Sequence, residues 1–133
     1  MTDDELSVLT ANETFYQAFA TQDYAGMDAL WAHGKPATCI HPGWSALVGR
    51  GAVMASWRAI LRAEGMGIES SAARATIAGD AAYVLCFEGP RGEPPTLIAT
   101  NIFVREDGRW RLLHHHAGPL ARPPETVASG PSN

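Results

Sequence analysis

The chain has 133 residues, of which 46% are hydrophobic and 18% charged, with a formal net charge of −4. That length supports one domain with a core of its own, needing neither disulfide nor metal to hold it. The ten Lys and Arg residues are scattered rather than gathered into a stripe, which excludes a phosphate-tracking nucleic-acid binder, and no stretch approaches the roughly 20 apolar residues of a membrane span.

The start, Met1-Thr2-Asp3-Asp4-Glu5, is acidic and lacks the apolar run of a signal segment, so a cytoplasmic location is expected. From Asp3 to Thr21, Val8, Leu9, Phe15, Tyr16, Phe19 and Ala20 recur at the spacing of one helical face, with the acidic residues at the positive end of the helix. Asp23 suits the cap of a short second helix, Tyr24 to Trp31, which stops before Gly34-Lys35-Pro36. Ala37 to His41 reads as a short strand ended by Pro42-Gly43, and Ser45 to Val48 as another. Gly51 to Glu64 is the third helix, with Val53, Ser56, Trp57, Ile60 and Leu61 on one side and Gly65 and Gly67 at its end.

Four strand-length runs follow: Ile68 to Ile77, Ala81 to Glu88, Thr96 to Arg105 and Arg109 to Ala117. Gly79-Asp80, the loop Gly89 to Pro95, and Asp107-Gly108 join them as successive antiparallel hairpins. Cys39 and Cys86 fall inside predicted strands, the setting of buried reduced thiols rather than of a disulfide. A domain over 1–118 and a Pro- and Gly-rich, unstructured tail over 119–133 are therefore expected. Three helices ahead of an antiparallel meander make an α+β fold, the helices covering one face of a strongly curved sheet.

Several stretches together resemble the SnoaL-like proteins of the nuclear transport factor 2 (NTF2) superfamily, over Leu6 to about Pro119. They are Phe15-Tyr16-Gln17-Ala18-Phe19, Leu30-Trp31, Cys39-Ile40-His41-Pro42-Gly43-Trp44, Gly49-Arg50, Ser56-Trp57 and the run from Asp107 to His116. The resemblance implies a cone-shaped barrel with an internal pocket, usually dimeric through the convex sheet face. The superfamily holds steroid isomerases, dehydratases, polyketide cyclases and a kinase association domain, so the fold does not fix the function. The catalytic carboxylates of its isomerases and cyclases have no matching motif in this chain.

Counting outward from Asp107-Gly108 pairs Arg105 with Trp110, Phe103 with Leu112, Asn101 with His114 and Ala99 with His116. This expectation puts Asn101, His114 and His116 on the pocket face, and Ile98, Ile102, Val104 and Leu113 on an outer, dimer-forming face. A single bulge would invert it and turn His115 inward. His41, at a strand end before a backbone break, is the leading candidate for acid–base chemistry, with His114 and His116 beside it. Each can equally serve as a hydrogen-bond partner that fixes a turn or a strand pair.

Trp31, Trp44, Trp57, Asn101, Tyr16 and Arg50 complete the expected ligand-lining set, although the aromatic residues also suit core packing and Arg50 a salt bridge. Alternate histidines on a strand with His41 make an incomplete metal set without a recognisably spaced carboxylate, so no metal and no cofactor are expected. Ser56 lacks a nucleophile's strained elbow, and Cys39 lacks a cationic neighbour. The expected function is binding of a compact, partly apolar small molecule by a homodimer. Two alternatives stand beside it: a cofactor-independent acid–base enzyme of isomerase, dehydratase or cyclase type, and a dimeric assembly domain.

Overall fold

A computed structural model describes residues 1–63 and 67–124. The first helix, α1 (Asp3–Ala20), begins with a capping box in which Thr2 and Glu5 each bond the other's backbone N–H at 3.1 Å, satisfying two donors that a helix start leaves open. Its buried side carries Val8, Asn12, Phe15 and Tyr16. Asp23 caps α2 (Tyr24–Leu30) by accepting from Gly26 N at 3.0 Å. Next come β1 (Thr38–Ile40), β2 (Leu47–Val48) and α3 (Arg50–Arg62), then β3 (Ile68–Ala78), β4 (Ala81–Pro90), β5 (Leu97–Glu106) and β6 (Arg109–Pro119).

The six strands form one sheet in the order β2-β1-β6-β5-β4-β3. Three helices on a mostly antiparallel curved sheet are the α+β architecture expected. The sequence does not reveal the parallel pairing of β1 with β6, which aligns Cys39 with His115 and Ile40 with His116. A pairing between elements some 75 residues apart leaves no local trace, because no turn sets its register. The third helix ends at Arg62, short of the expected Glu64, and the expected stops at Glu64 and Gly65 lie outside the described residues. So do residues 125–133 of the expected tail.

The core between helices and sheet is built from Phe15, Met27, Trp31, Trp57, Phe103 and Leu112, all fully buried. Arg50 fastens the start of α3 to the end of α2. Its guanidinium donates to the carbonyl oxygens of Trp31 (3.0 Å), Ala32 (3.1 Å) and Asp28 (2.8 Å), and to the Asp28 carboxylate at 2.6 Å. Open carbonyls at a helix C-terminus attract a cation, and of the two readings of Arg50, ligand lining or salt bridge, the structure shows the ion pair with Asp28. Replacing Arg50 removes charge-assisted bonds from a half-buried place. Arg50→Met should lower the unfolding free energy by about 2 kcal/mol in urea titration, and an unchanged midpoint would show that the clamp carries no stability.

Candidate functional site

The concave side of the sheet is lined by every second residue of each strand, with one polar side chain set among apolar ones on β4, β5 and β6. On β4 the inward series is Ala82, Val84, Cys86 and Glu88, on β5 it is Ala99, Asn101 and Phe103, and all seven are buried. On β6 the series runs Trp110, Leu112, then His115 and Ala117. The step from 112 to 115 breaks the period of two, and the strand pairing explains it. Phe103 pairs with Leu112 and Ile102 with His114, so Leu113 is inserted without a partner. This bulge corrects the pairing counted from the turn: it sets His115, not His114, opposite Asn101, and Ala117 opposite Ala99.

His115 is therefore buried at 2% exposure, whereas His114 and His116 project from the outer face. There His114 Nδ1 lies 2.6 Å from Thr38 Oγ1, and His116 borders a shallow cleft with Leu85 and Ile98. His41, Asn101, Tyr16, Trp31 and Trp57 are all buried within the cone. Trp44 is 46% exposed and lays its indole edge-on to His41, with ring centroids 4.8 Å apart. Sequence reasoning kept His115 only as the outcome of a bulge, and it missed Glu88 and Asn12. The Ala82, Val84, Cys86, Glu88 alternation was the available signal for Glu88, since a carboxylate continuing an inward apolar series must be buried.

These side chains form one connected network. His115 Nδ1 is 2.5 Å from Asn101 Oδ1. The amide nitrogen of Asn101 donates to Asn12 Oδ1 at 2.8 Å and to the Tyr16 hydroxyl oxygen at 3.1 Å, and Tyr16 donates to Glu88 Oε2 at 2.5 Å. Because the amide nitrogen is the donor, Asn101 Oδ1 accepts, so His115 carries its hydrogen on Nδ1 and leaves Nε2 as a lone pair. That nitrogen lies 3.8 Å from Glu88 Oε2. His41 is fixed in the other tautomer: Ser56 spends its hydroxyl hydrogen on Val53 O at 2.6 Å, so His41 Nε2 must donate to Ser56 Oγ across 2.9 Å.

Burial decides the charges. It drives His41 down to about 4, and drives His115 down to about 3, helped by the charges that His41, His114 and His116 would carry. Burial raises the carboxyl of Glu88, and burial with the Glu88 charge beside it raises the Tyr16 phenol well above its ordinary range. Cys39 is pushed up to about 12 and Cys86 to about 11, both by burial first. The His115–Glu88 distance would suit an ion pair, but at neutral pH the imidazole is uncharged, and the pair shares hydrogen-bonding needs rather than opposite charges.

The rings of Phe15 and Trp57 meet edge-to-face at 5.4 Å, and Phe15 stands 5.0 Å from His115, so aromatic side chains occupy much of the space that an open pocket would need. Clefts are present at the rim, about 250 Å³ beside Phe19, Gln22 and Leu61 and about 190 Å³ beside Tyr16, Gln17 and Arg91. His41, Asn101 and His115 line neither of these. Among the described residues no three His, Cys, Asp or Glu side chains converge on a point that would hold a metal ion, and no helix is long and apolar enough to cross a membrane.

Two imidazoles held below their unfolded value near 6.5 make stability pH-dependent with a definite sign. The unfolded chain takes up protons that the fold refuses, so their stabilisation is complete above pH about 7 and is lost as pH falls through about 6.5 toward 4. Glu88, raised in the fold, acts in the opposite sense, its contribution fading as pH rises through its folded value. Urea midpoints should fall between about pH 7 and pH 5, with a shallower slope in His115→Phe. A flat profile over that range in Glu88→Gln, which removes the opposing group, would mean that the buried imidazoles are charged in the fold.

Residues 8–122 match the family described as the SnoaL-like domain. A candidate dehydratase of the NTF2-like family from Streptomyces avermitilis superposes with a TM-score of 0.79 at 32% identity, over 90% of this chain and 97% of that one. A candidate calcium/calmodulin-dependent protein kinase type II association domain from Thiobacillus denitrificans superposes with a TM-score of 0.70 at 33% identity, over 84% and 94%. The F-box protein SKIP8 of Arabidopsis thaliana is 25% identical over 115 residues, which are 86% of this chain and 50% of SKIP8, so the chain spans about half the length of that relative. The matched span takes in both the strands and the helices that build the buried network, and the chain belongs to the SnoaL-like domain family of the NTF2-like superfamily.

Proposed function

We propose that this protein handles a compact, partly apolar small molecule inside its cone by cofactor-independent acid–base chemistry. His41, His115 and Glu88 are the proton-accepting groups in this reading; Asn101 orients His115, Tyr16 orients Glu88 and Ser56 orients His41. One observation carries it: Tyr16, Glu88 and His115 form a single connected network almost wholly removed from water. A core needs no such array, because apolar side chains of equal volume hold a fold at least as well. Groups whose protonation is displaced by burial and gathered at one place are the usual mark of a site. The neutral imidazole of His41, with Nδ1 not used by Ser56, is the form that abstracts a proton.

The loop from Pro42 to Ala46, exposed throughout and turning through Gly43 at a φ of 82°, is the way in on this reading. Trp44 is its door, since it covers the His41 ring while half in solvent. The similarity to the candidate dehydratase supports acid–base use of the scaffold. Native mass spectrometry of freshly purified protein should find a retained small molecule. His41→Ala and Glu88→Gln should each weaken its retention by about 1 to 3 kcal/mol, with circular dichroism unchanged. Retention indifferent to both substitutions would move the site out of the cone.

A second reading, assembly through the outer sheet face, is favoured by the exposure of Tyr83, Leu85 and Ile98, at 41%, 45% and 46%. The similarity to the candidate kinase association domain supports it. Two copies joined face to face would bury about 800 Å² each. Sedimentation velocity should give a dimer, converted to a monomer by Leu85→Glu with Ile98→Glu. A wild-type monomer at micromolar concentration would end this reading.

A further inference from the structure

Of the four long strands, β3 is held least. It ends the sheet, with β4 on one side and no strand on the other. Its inward series, Ile68, Ser70, Ala73, Ala75 and Ile77, is half-buried throughout, whereas β4 beside it buries Ala82, Val84, Cys86 and Glu88. Three of the five inward side chains on β3 are no larger than serine, so the strand offers α1 little apolar area, and elements with few such contacts open first. The ladder to β4 also breaks at one place. Ser71 pairs with Phe87 and Arg74 with Leu85, so Ala72 and Ala73 together stand against Cys86. There Ala72 takes a φ of 53°, a conformation that its Cβ resists.

The seam between α1 and β3 carries a cleft at each end. One, of about 450 Å³, has Thr2 and Glu5 on the helix side and Ala75 and Ile77 on the strand side. The other, of about 190 Å³, lies between Tyr16, Gln17 and Ala20 of α1 and Glu69 and Ser70 of β3, with Arg91 also lining it. Tyr16 belongs to both this second cleft and the buried network. Its hydroxyl donates to Glu88 at 2.5 Å, Cys86 Sγ lies 3.3 Å from the Tyr16 oxygen, and Ser70 stands directly opposite Glu88 in the strand pairing. Glu88 itself is 3% exposed and lines neither cleft, so it is one side chain back from the surface.

We infer that β3 is a flap over the Glu88 end of the network, parting from α1 at the Ala72 bulge and admitting water and small polar molecules past Tyr16 to Glu88. The way in at Trp44 leads to His41, so the two ends of the network exchange with solvent separately. Water arriving under β3 gives the Glu88 carboxyl a proton route that does not pass Trp44. The acid–base reading of the interior gives this flap a use, while the flap itself rests on the packing of β3 alone.

The chain carries its own reporters. Cys86 stands behind the bulge, Cys39 lies 3.7 Å from His41 Nε2 at the other end, and the sequence holds no third cysteine. Burial holds the thiol of Cys86 up at about 11 and that of Cys39 at about 12, so each reacts only when an opening wets it. The full chain is treated with methyl methanethiosulfonate, small and uncharged, over a range of urea, and mass spectrometry after proteolysis gives the rate at each cysteine. Below the unfolding transition Cys86 should be labelled about tenfold or more faster than global unfolding allows, with little dependence on urea, as a local opening requires. Gln17→Trp, at an exposed position, fills the Tyr16 cleft and should slow Cys86 severalfold without slowing Cys39. Trp44→Ala should leave the Cys86 rate unchanged, whatever it does to Cys39. Cys86 labelling that follows urea as global unfolding does, or that ignores Gln17→Trp, overturns the flap. Faster Cys86 labelling in Trp44→Ala overturns it too, by routing access through the far end. If Gln17→Trp does not fold, the urea profile and Trp44→Ala decide. Each of these failures leaves the interior standing as the proposed small-molecule site, which retention in native mass spectrometry tests separately.

Discussion

The hydrogen bond between His115 Nδ1 and Asn101 Oδ1, 2.5 Å long and closed to water, orients everything polar inside this cone. It meets the oxygen end of the Asn101 amide. The nitrogen must then point at Asn12 and Tyr16, both on α1, so a contact between neighbouring strands also fastens the first helix to the sheet. Tyr16, which accepts from Asn101, directs its own hydrogen to Glu88, with Cys86 Sγ 3.3 Å from the Tyr16 oxygen. Reversing the amide would place two donors against His115 and two acceptors against Asn12, and each buried mismatch costs on the order of 1 to 3 kcal/mol. The network therefore keeps its amide, imidazole and phenol orientations matched to one another.

That arrangement is uncharged at its imidazole end by necessity. Removing an ion from water costs more than one neighbour at 3.8 Å returns unless further hydrogen bonds complete the pair, and Glu88 Oε2 is already committed to Tyr16. The consequence is a set of weakly held lone pairs in a low-dielectric place. Such groups stabilise a fold poorly, since burial holds the imidazoles in the neutral form. Aromatic rings close the space around them: Phe15 and Trp57 are edge-to-face to each other, and His41 is edge-to-face to both Trp44 and Trp57. Trp44 alone among these rings is half in solvent, so the boundary between cone and water passes through one side chain.

The scaffold carries unlike uses among its relatives, a candidate dehydratase and a candidate kinase association domain each at about one third identity. The two sheet faces of this chain differ physically. The concave face holds the buried network and the convex face holds Tyr83, Leu85 and Ile98, and because successive residues of a strand alternate between faces, a change on one can leave the other untouched. The inserted Leu113 is where that independence is set on β6, since it decides which of three consecutive histidines belongs to which face.

The helices were legible in the chain because their determinants are local. Thr2 and Glu5 box the start of α1, Asp23 caps α2, and the apolar spacing from Val8 to Phe19 selects a buried side without reference to any other element. The hairpin turn at Asp107-Gly108 and the strands on either side were equally readable, as was the inward place of His41, Trp31 and Trp57. Two things were not. The partner of β1 is β6, far along the chain, and nothing in either strand encodes it locally. The bulge at Leu113 follows no turn residue either. A straight count from the turn would bury His114 and His116 and leave His115 in solvent. The folded chain instead buries the imidazole that faces Asn101, beside Phe15 and Glu88, while Thr38 meets His114 on the outside. By itself the sequence determined the elements, the fold class and a cluster of polar candidates, since those depend on neighbours a few residues apart. Which histidine lies inside, and that Glu88 meets it there, depended on register across strands, which is decided only when every buried donor and acceptor has been matched.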